Sequence, residues 1–207
     1  MNEKGLTPGD LLDIGVSRSN HYELQAAGVT HSQDEIEEGY SEDPYFVVTP
    51  DGTAVQFYTP LDAPTTPNSR YPRSELREVE ADGSKMRFDP FTGVHRLSGR
   101  TRITHLPPGK PEVVIAQLHN GDKDRVAIRT QVISGDIRLV VRVNGHAVEP
   151  HLENPYEVGT EFGWMIEIDN GRLSVYYAQG DNPLPPTRII TLDRKSTRLN
   201  SSHLVIS

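Results

Sequence analysis

Residues 113–145, VVIAQLHNGDKDRVAIRTQVISGDIRLVVRVNG, decide the fold class of this chain. The stretch contains three runs rich in Val and Ile, and each of them closes on a turn that contains Gly. β-Branched runs of this length bounded by Gly, Asn and Asp are typical of strands joined by tight turns. The stretch therefore predicts three consecutive antiparallel strands.

The pattern of short strand-like runs separated by turns continues on both sides of this stretch. YFVVT and TAVQFYTP are strand candidates joined by the turn PDG, and RSELREVE and VHRLSGRTRITHL alternate polar with apolar residues. GWMIEIDNG, RLSVYYAQG and RIITLD follow, and no run shows a sustained helical period. Short strands with frequent turns and little helix predict an all-β, antiparallel β-sandwich or barrel.

Composition divides the 207-residue chain into three parts. Residues 1–40 are polar and predict an irregular N-terminal segment, and residues 41–193 carry the strand pattern. Residues 194–207, RKSTRLNSSHLVIS, are basic and Ser-rich and lack alternation until their last few residues. We expect this tail to be foreign to the domain, which would then be incomplete at its C-terminal end.

Charge and residue usage exclude several function classes. The net charge is −8, whereas a nucleic-acid-binding chain normally carries a basic patch on a basic background. There are no cysteines, so thiolate catalysis and cysteine-ligated metal sites are excluded. The sequence has no HExxH-like ligand set, no apolar run long enough for a membrane span, and no visible signal peptide.

Two strands carry side chains suited to chemistry. Alternation places Arg73, Glu75 and Arg77 of RSELRE on one strand face. In VVIAQLH it places Gln117 and His119 together, on the face of Val113 and Ile115. Taken alone, RSELRE would more simply be a solvent-facing strand with a row of ion pairs. Taken alone, QLH would be the end of a strand, with His119 exposed and without a functional role.

Together, RSELRE and, some 40 residues later, QLH resemble motifs of family 7 of the polysaccharide lyases, the alginate lyases with a β-jelly-roll fold. That family carries R-[TS]-E-L-R on one strand and Q-[IV]-H on another. YSEDPYF, DGTAVQFYTPLDAPTT and YEVGTEFGWMIEIDNGRLSVYY are also similar to family segments, so the resemblance covers residues 40–180. It implies a concanavalin-like jelly roll that cleaves alginate by β-elimination between C4 and C5.

The resemblance also implies roles for individual residues. Arg73, Gln117 and His119 would be catalytic, and Glu75 and Arg77 would bind substrate, with Glu75 expected to orient one of the arginines. Separately from the resemblance, alternation places Arg129 and Gln131 on one face of a later strand, where we expect them to extend the substrate groove. Neither cofactor nor metal is expected. The partner would be an acidic polysaccharide, bound by a secreted or periplasmic monomer with no nucleic-acid or membrane partner.

Two features depart from the family pattern. The middle residue of the second motif is Leu118 instead of Ile or Val, which leaves the preference between mannuronate and guluronate undecided. The third family motif, Y-F-K-A-G-x-Y-x-Q, does not follow RLSVYY, and its second Tyr is the usual proton-transfer residue. We therefore expect impaired activity, with Tyr71, Tyr176 and Tyr177 as the candidates for a substitute donor.

Two other functions fit a sandwich of this kind. A glycoside hydrolase would use carboxylates at alternate strand positions, as Glu167 and Asp169 are. A non-catalytic carbohydrate-binding module would display aromatic platforms, but the single tryptophan, Trp164, has the sequence context of a core residue.

Overall fold

Antiparallel strands are the dominant secondary structure of the described chain, and the helices are short, in agreement with the all-β, antiparallel fold predicted from sequence. The computed structural model describes residues 5–12, 20–67, 69, 71–120, 123–185, 190–192 and 204–206. Its contacts divide into two compact units. The first runs to Met86 and includes Val205 and Ile206, and the second runs from Arg87 to Leu204.

The first unit is built on a small antiparallel sheet. In it β5 lies between β1 and β14, and β2 pairs with the other side of β1, while β3 and β4 form a separate hairpin. The elements of this unit are α1 (Pro8–Leu12), β1 (His21–Ala26), β2 (Val29–His31), α2 (Gln33–Glu37), β3 (Phe46–Val48), β4 (Val55–Phe57), β5 (Ser74–Val79) and β14 (Leu204–Ile206).

An apolar cluster on one face of β1 and β5 holds the first unit together. Leu24 and Leu76 are directly opposite each other on the two strands, and both are buried with Ile36 of α2 and Phe46 of β3. The helix begins where Ser32 and Glu35 form a capping box, which satisfies backbone N–H groups at its first turn. Because side chains alternate along a strand, the opposite face of β5 is left for polar residues.

The second unit contains two four-stranded antiparallel sheets, ordered β10-β9-β8-β7 and β13-β12-β11-β6. Its elements are β6 (Val94–Arg102), β7 (Val114–Asn120), β8 (Lys123–Ile133), β9 (Asp136–Val143), β10 (His146–Glu153), β11 (Glu161–Asp169), β12 (Arg172–Gln179) and β13 (Ile190–Leu192).

Tight turns set the register of two hairpins in this unit. Asn144 and Gly145 join β9 to β10, and Asn170 and Gly171 join β11 to β12; all four residues have positive φ. Two consecutive positive φ angles match the right-handed twist of the flanking strands, which explains the Asn-Gly preference at such turns. The Gly-containing turns predicted from the sequence are confirmed here.

Each sheet of the second unit has one apolar face. Phe162, Trp164 and Ile166 alternate along β11 and are fully buried, as are Ile128 and Val141 on the other sheet. Tyr177 of β12 joins the two sheets, since its hydroxyl donates to Glu153 of β10. The core of this unit therefore lies between its two sheets, as a sandwich requires.

Two parts of the sequence-based prediction differ from the structure. Residues 1–40 were expected to be irregular, but β1, β2 and α2 lie within them. HYELQA hides its strand character because it lacks β-branched residues and buries only Leu24, Gln25 and Ala26. β10, HAVEPHLE, was also missed, because its charges and Pro150 obscure the alternation. The predicted boundaries at residues 41 and 193 stay predictions.

No helix among the described residues combines the length and apolarity that a membrane crossing needs.

Candidate active site

The charged motif RSELRE lies on β5 and in the residue just before it. Leu76 packs into the apolar cluster and Ser74 donates from Oγ to a backbone carbonyl, 2.7 Å away. Arg73, Glu75 and Arg77 alternate with these residues and contact one another on the opposite face. The shared face predicted from sequence is confirmed by these contacts.

Glu75 is the centre of this charged face. It is 4% exposed, and its Oε1 accepts from Nη1 of Arg73 at 2.8 Å and from Nη2 of Arg77 at 3.1 Å. Glu23 of β1 lies opposite Arg77 and approaches Arg77 Nη1 at 3.8 Å. One carboxylate thus holds two guanidinium groups, and a second carboxylate flanks the row.

Both arginines keep a donor that has no acceptor among the described protein atoms. Nη2 of Arg73 donates to Ser69 Oγ at 2.6 Å, but the Nε atoms of Arg73 and Arg77 are buried without an acceptor among the described protein atoms. A guanidinium has five N–H donors in a planar fork, which suits bidentate binding of a carboxylate. The first unit therefore presents two oriented cations with spare donors.

Gln117 and His119 lie on β7 in the second unit. Ala116 and Leu118, the two neighbours of Gln117, are buried, so Gln117 belongs to the other face of the strand. That His119 shares this face stays a prediction. The register of β7 against β8 shifts between Val114 and Ala116 and again between Leu118 and His119, and each shift interrupts the regular alternation. Ile115 is buried and lies within the first shift, so its place on the face of Gln117 stays a prediction.

Arg129 and Gln131 share the face of Gln117. Gln117 is opposite Ala127 on β8, and residues two and four positions on from Ala127 lie on the same side. Arg129 Nη2 donates to Glu112 Oε2 at 2.7 Å. The Oε1 atom of Gln131 is buried with no hydrogen-bond donor among the described protein atoms. The predicted shared face of Arg129 and Gln131 agrees with the unbroken pairing of β8 with β9, and the common face with Gln117 follows from the register of β7 and β8.

The predicted site residues thus form two groups, each ordered within its own unit. Arg73, Glu75 and Arg77 make up the first group, and the second comprises the residues on β7 and β8. The expectation that both groups contact one substrate stays a prediction. Sequence analysis missed Glu23, whose only signal was the polar alternation of HYELQA.

The residues on which the other two functions depend have structural partners. Glu167 accepts from Nε of Arg96 at 2.7 Å and from the hydroxyl of Tyr176 at 3.1 Å. Asp169 is exposed, with Asn170 donating to it. Trp164 is fully buried, and its Nε1 donates to a threonine hydroxyl, Thr101 Oγ1, at 3.0 Å. These contacts favour neither a carboxylate pair for glycoside hydrolysis nor an aromatic sugar platform at Trp164.

The three tyrosines considered as proton donors differ in exposure. Tyr177 is a core residue, and burial, with the hydrogen bond to Glu153, holds the pKa of its phenol above the usual range. Tyr176 lies on the opposite face of β12, as alternation predicts, and bonds to Glu167. Tyr71 is 67% exposed and lies two residues before Arg73.

Comparison with known sequences and structures points to one family. The family model described as "Alginate lyase" matches residues 19–188. No sequence among the curated proteins matches this chain.

Several solved structures resemble the chain over nearly its whole length. The alginate lyase AlgAT5 from polysaccharide lyase family 7 is 29% identical, with a TM-score of 0.75 over 98% of this chain and 96% of that one. An alginate lyase from Corynebacterium sp. is 25% identical, with a TM-score of 0.75 over 97% and 86% of the two chains. Alginate lyase PA1167 from Pseudomonas aeruginosa, at 22% identity, has a TM-score of 0.71 over 90% and 86% and shows likeness of fold.

Proposed function

Since this chain belongs to the alginate lyase family, whose model matches residues 19–188, we propose that it cleaves alginate by β-elimination. The observation that carries the proposal is the arginine pair formed by Arg73, just before β5, and Arg77 on β5. Two guanidinium groups are held in place by the buried Glu75 and retain unused donors. Such an arrangement suits a substrate that carries a carboxylate on every sugar ring.

Arg73 neutralises the carboxylate of the reacting uronate in this proposal. The proton on C5 is only weakly acidic while the neighbouring carboxylate is ionised, because its removal adds negative charge next to an existing one. Hydrogen-bond donors on the carboxylate spread that charge and stabilise the enolate-like intermediate. Gln117 supplies a further amide donor, and Arg77 binds the carboxylate of a neighbouring sugar.

His119 is the proposed base. A histidine accepts a proton near neutral pH, and its imidazole takes the proton from C5. The electron pair left on C5 then forms the C4=C5 double bond as the bond from C4 to the glycosidic oxygen breaks. The leaving oxygen takes up a proton from an acid, for which Tyr71 is the exposed candidate among the three tyrosines.

Absorbance of the new double bond tests the proposal directly. Ultraviolet absorbance should rise when the chain digests alginate, and reducing ends should appear together with unsaturated uronate ends. Pectate and glucuronan serve as comparison substrates. A rise on either of these but not on alginate would assign the chain to another uronate, and new reducing ends without absorbance would indicate hydrolysis.

Substitutions at the site separate the roles of the two groups. Arg73→Ala and His119→Ala should each lower turnover at least about 100-fold, since each removes a charge stabiliser or a general base. Arg96→Ala, on the other sheet of the second unit, is the matched control and should leave turnover unchanged. A rate near that of the unsubstituted chain for either site variant would remove that residue from the mechanism.

We also propose that the chain acts as a monomer. We further propose that it acts outside the cytoplasm, because a long polyuronate is too large and too charged to reach an enzyme inside the cell. Sedimentation analysis at several concentrations and fractionation of the source cells test the two parts. A concentration-independent dimer, or activity confined to the cytosolic fraction, would contradict them.

A further inference from the structure

β9 carries two arginines on the same face as the candidate site residues of the second unit. Arg138 is opposite Gln131 on β8, and Arg142 is opposite Ala127, which is itself opposite Gln117. Residues opposite each other in an antiparallel pair project to the same side of the sheet. Leu139, Val141 and Val143, which alternate with the arginines, are buried on the other side.

Neither arginine has a carboxylate partner within ion-pair distance among the described residues. Nη1 of Arg138 bonds to Nδ1 of His151 at 3.2 Å, and Nη2 of Arg142 donates to the carbonyl oxygen of Gly145. The Nε atoms of both arginines are buried without an acceptor among the described protein atoms. Arg138 reaches a carboxylate only through His151, whose Nε2 is 2.9 Å from Glu149 Oε1. Both guanidinium groups are therefore partly desolvated, have no carboxylate directly paired with them in that part of the chain, and keep an Nε donor without an acceptor there.

The positions of these arginines make the lack of a directly paired carboxylate costly. Arg129 lies opposite Val140, so Arg138 and Arg142 are its diagonal neighbours on β9, about 7–8 Å away. Only Arg129 of the three has an acidic partner among the described residues, Glu112 at 2.7 Å. Like charges at this spacing destabilise a sheet, and a bound anion would relieve the repulsion.

A row of small and polar side chains connects Arg142 to the candidate catalytic strand. Gln117, Ala127 and Arg142 are in register on three adjacent strands, so the first and last are about 10 Å apart across two strand spacings. Ala127, between them, is buried and has only a methyl side chain, so no long side chain separates Gln117 from Arg142 along this row. A sugar chain that runs across the strands from Gln117 would reach Arg142 next.

We propose that Arg138 and Arg142 bind carboxylates of uronate residues beyond the one that reacts, which makes β9 a substrate-binding strand. This inference rests on the proposed function, because it takes the ligand to be the same polyuronate. The two arginines determine how long a substrate the protein prefers and leave the bond-breaking step itself unchanged.

Binding of uronate oligomers to the full chain tests the inference. His119→Ala is used as the background so that the ligand stays intact, and calorimetry compares a short with a long oligomer prepared from alginate. Arg138→Ala and Arg142→Ala should each weaken binding of the long oligomer about tenfold or more, the scale of one lost charged hydrogen bond. Binding of the short oligomer should change by less than about twofold, since it ends before β9.

Two controls make the test specific. Arg102→Ala removes an arginine of β6 that is 56% exposed and paired with Glu161 of β11, and this variant should bind like the parent chain. A carboxyl-reduced long oligomer should bind weakly and equally to all variants. Arg138→Lys and Arg142→Lys should recover part of the affinity, since they keep the charge and lose the planar fork.

The possible outcomes separate this inference from the proposed function. Unchanged affinity of both alanine variants for the long oligomer would overturn the inference, and so would equal losses with the carboxyl-reduced ligand. If the unsubstituted chain bound no uronate oligomer of any length, the proposed function would fail and this inference with it. Each variant should have the same melting temperature as the parent chain, which would show that it is folded.

Discussion

Glu75 accepts hydrogen bonds from Arg73 and from Arg77 on the same oxygen, Oε1. Sequence analysis assigned it to substrate binding, with the orientation of one arginine as its expected task. Its burial and its position between the two guanidinium groups indicate that it orients both. We therefore infer that, in the proposed reaction, Glu75 positions the two arginines that touch substrate.

We predict that Glu75→Ala weakens the protein in two ways. The two arginines lose their shared acceptor, which should lower the free energy of unfolding by about 1–3 kcal/mol. Their guanidinium groups should also lose their fixed orientation, so KM for alginate should rise more than kcat falls. Chemical denaturation and steady-state kinetics measure the two effects.

Glu75→Gln is the matched variant, since it keeps one acceptor oxygen and removes the charge. It should recover part of the lost stability and part of the KM. If Glu75→Ala had the stability and the KM of the parent chain, the positioning role would be excluded.

Pairs of strands show how single contacts hold an element in place. Trp164 on β11 lies opposite Gly99 on β6, and a Cβ at Gly99 would be 2.9 Å from Cζ2 of the indole. The ring is fully buried and donates to Thr101. The pairing of β6 with β11 therefore depends on the absence of a side chain at residue 99.

Gly99→Val should overpack this contact and destabilise the second unit by about 1–3 kcal/mol. The indole cannot move without losing its hydrogen bond to Thr101, so the added methyl groups must displace the strand. Thermal unfolding followed by tryptophan fluorescence measures the effect, because Trp164 is the only tryptophan. Ser98→Val, on the exposed face of the same strand, should be neutral; equal losses in the two variants would contradict the packing argument.

The hydrogen bond from Tyr177 of β12 to Glu153 of β10 should make the free energy of unfolding depend on pH in the alkaline range. Burial, and then the hydrogen bond to Glu153, raises the pKa of Tyr177 above its ordinary value of 10.0. Below that value the phenol is protonated in both states, so its contribution to stability is complete. Above it, the unfolded chain ionises and the folded chain does not, so stability falls as pH rises.

In the Tyr177→Phe variant, the free energy of unfolding should therefore fall less steeply with pH above pH 10.0 than in the parent chain. At neutral pH the variant should be less stable than the parent, because the hydrogen bond to Glu153 is lost. Denaturant unfolding of both chains across this range measures the two slopes. A steeper slope in the variant than in the parent would contradict the assignment. Tyr40 and Tyr156 also have raised pKa values because of burial, so part of the slope should remain.

At the scale of the whole molecule, the C-terminal segment contributes a short strand to the sheet of the first unit. The structure describes only Leu204–Ile206 of residues 194–207, as β14 paired with β5. β5 has six register partners on β1, and its described partners on β14 are Val205 and Ile206. A longer strand at this position would pair more of the backbone groups of β5. The prediction that the tail is foreign to the domain stays a prediction.

Replacing residues 194–207 with a strand of the family pattern Y-F-K-A-G-x-Y-x-Q should raise both the melting temperature and the rate on alginate. Each buried backbone group that gains a partner contributes on the order of 1 kcal/mol, and the added Tyr would supply a proton donor. Calorimetry and ultraviolet absorbance compare the two chains. Equal stability and equal activity would show that the tail present here is sufficient and would direct the search for the donor to Tyr71.

Much of the fold follows from local sequence. The strands β3 to β9, β11, β12 and β13 coincide with runs that alternate or are β-branched, and the Asn-Gly turns lie where the sequence predicts them. The alternation of RSELRE correctly predicted its charged face. β1 and β10 were missed because their many polar side chains give no strong signal for a strand in the sequence. Each of the two segments is a strand because it pairs with a neighbour, β1 with β5 and β10 with β9.

By itself, then, the sequence determined the fold class, the faces of most strands and the two motifs that indicate the family. These are local properties, since side-chain direction follows a period of two residues and turn types depend on a few φ angles. Only the tertiary structure decided that Glu75 is shared by two arginines, that Ile115 lies at a register shift, and that Arg142 follows Gln117 and Ala127 across three strands. Such relations depend on register, which is set by packing between strands distant in the chain and cannot be read from any one of them.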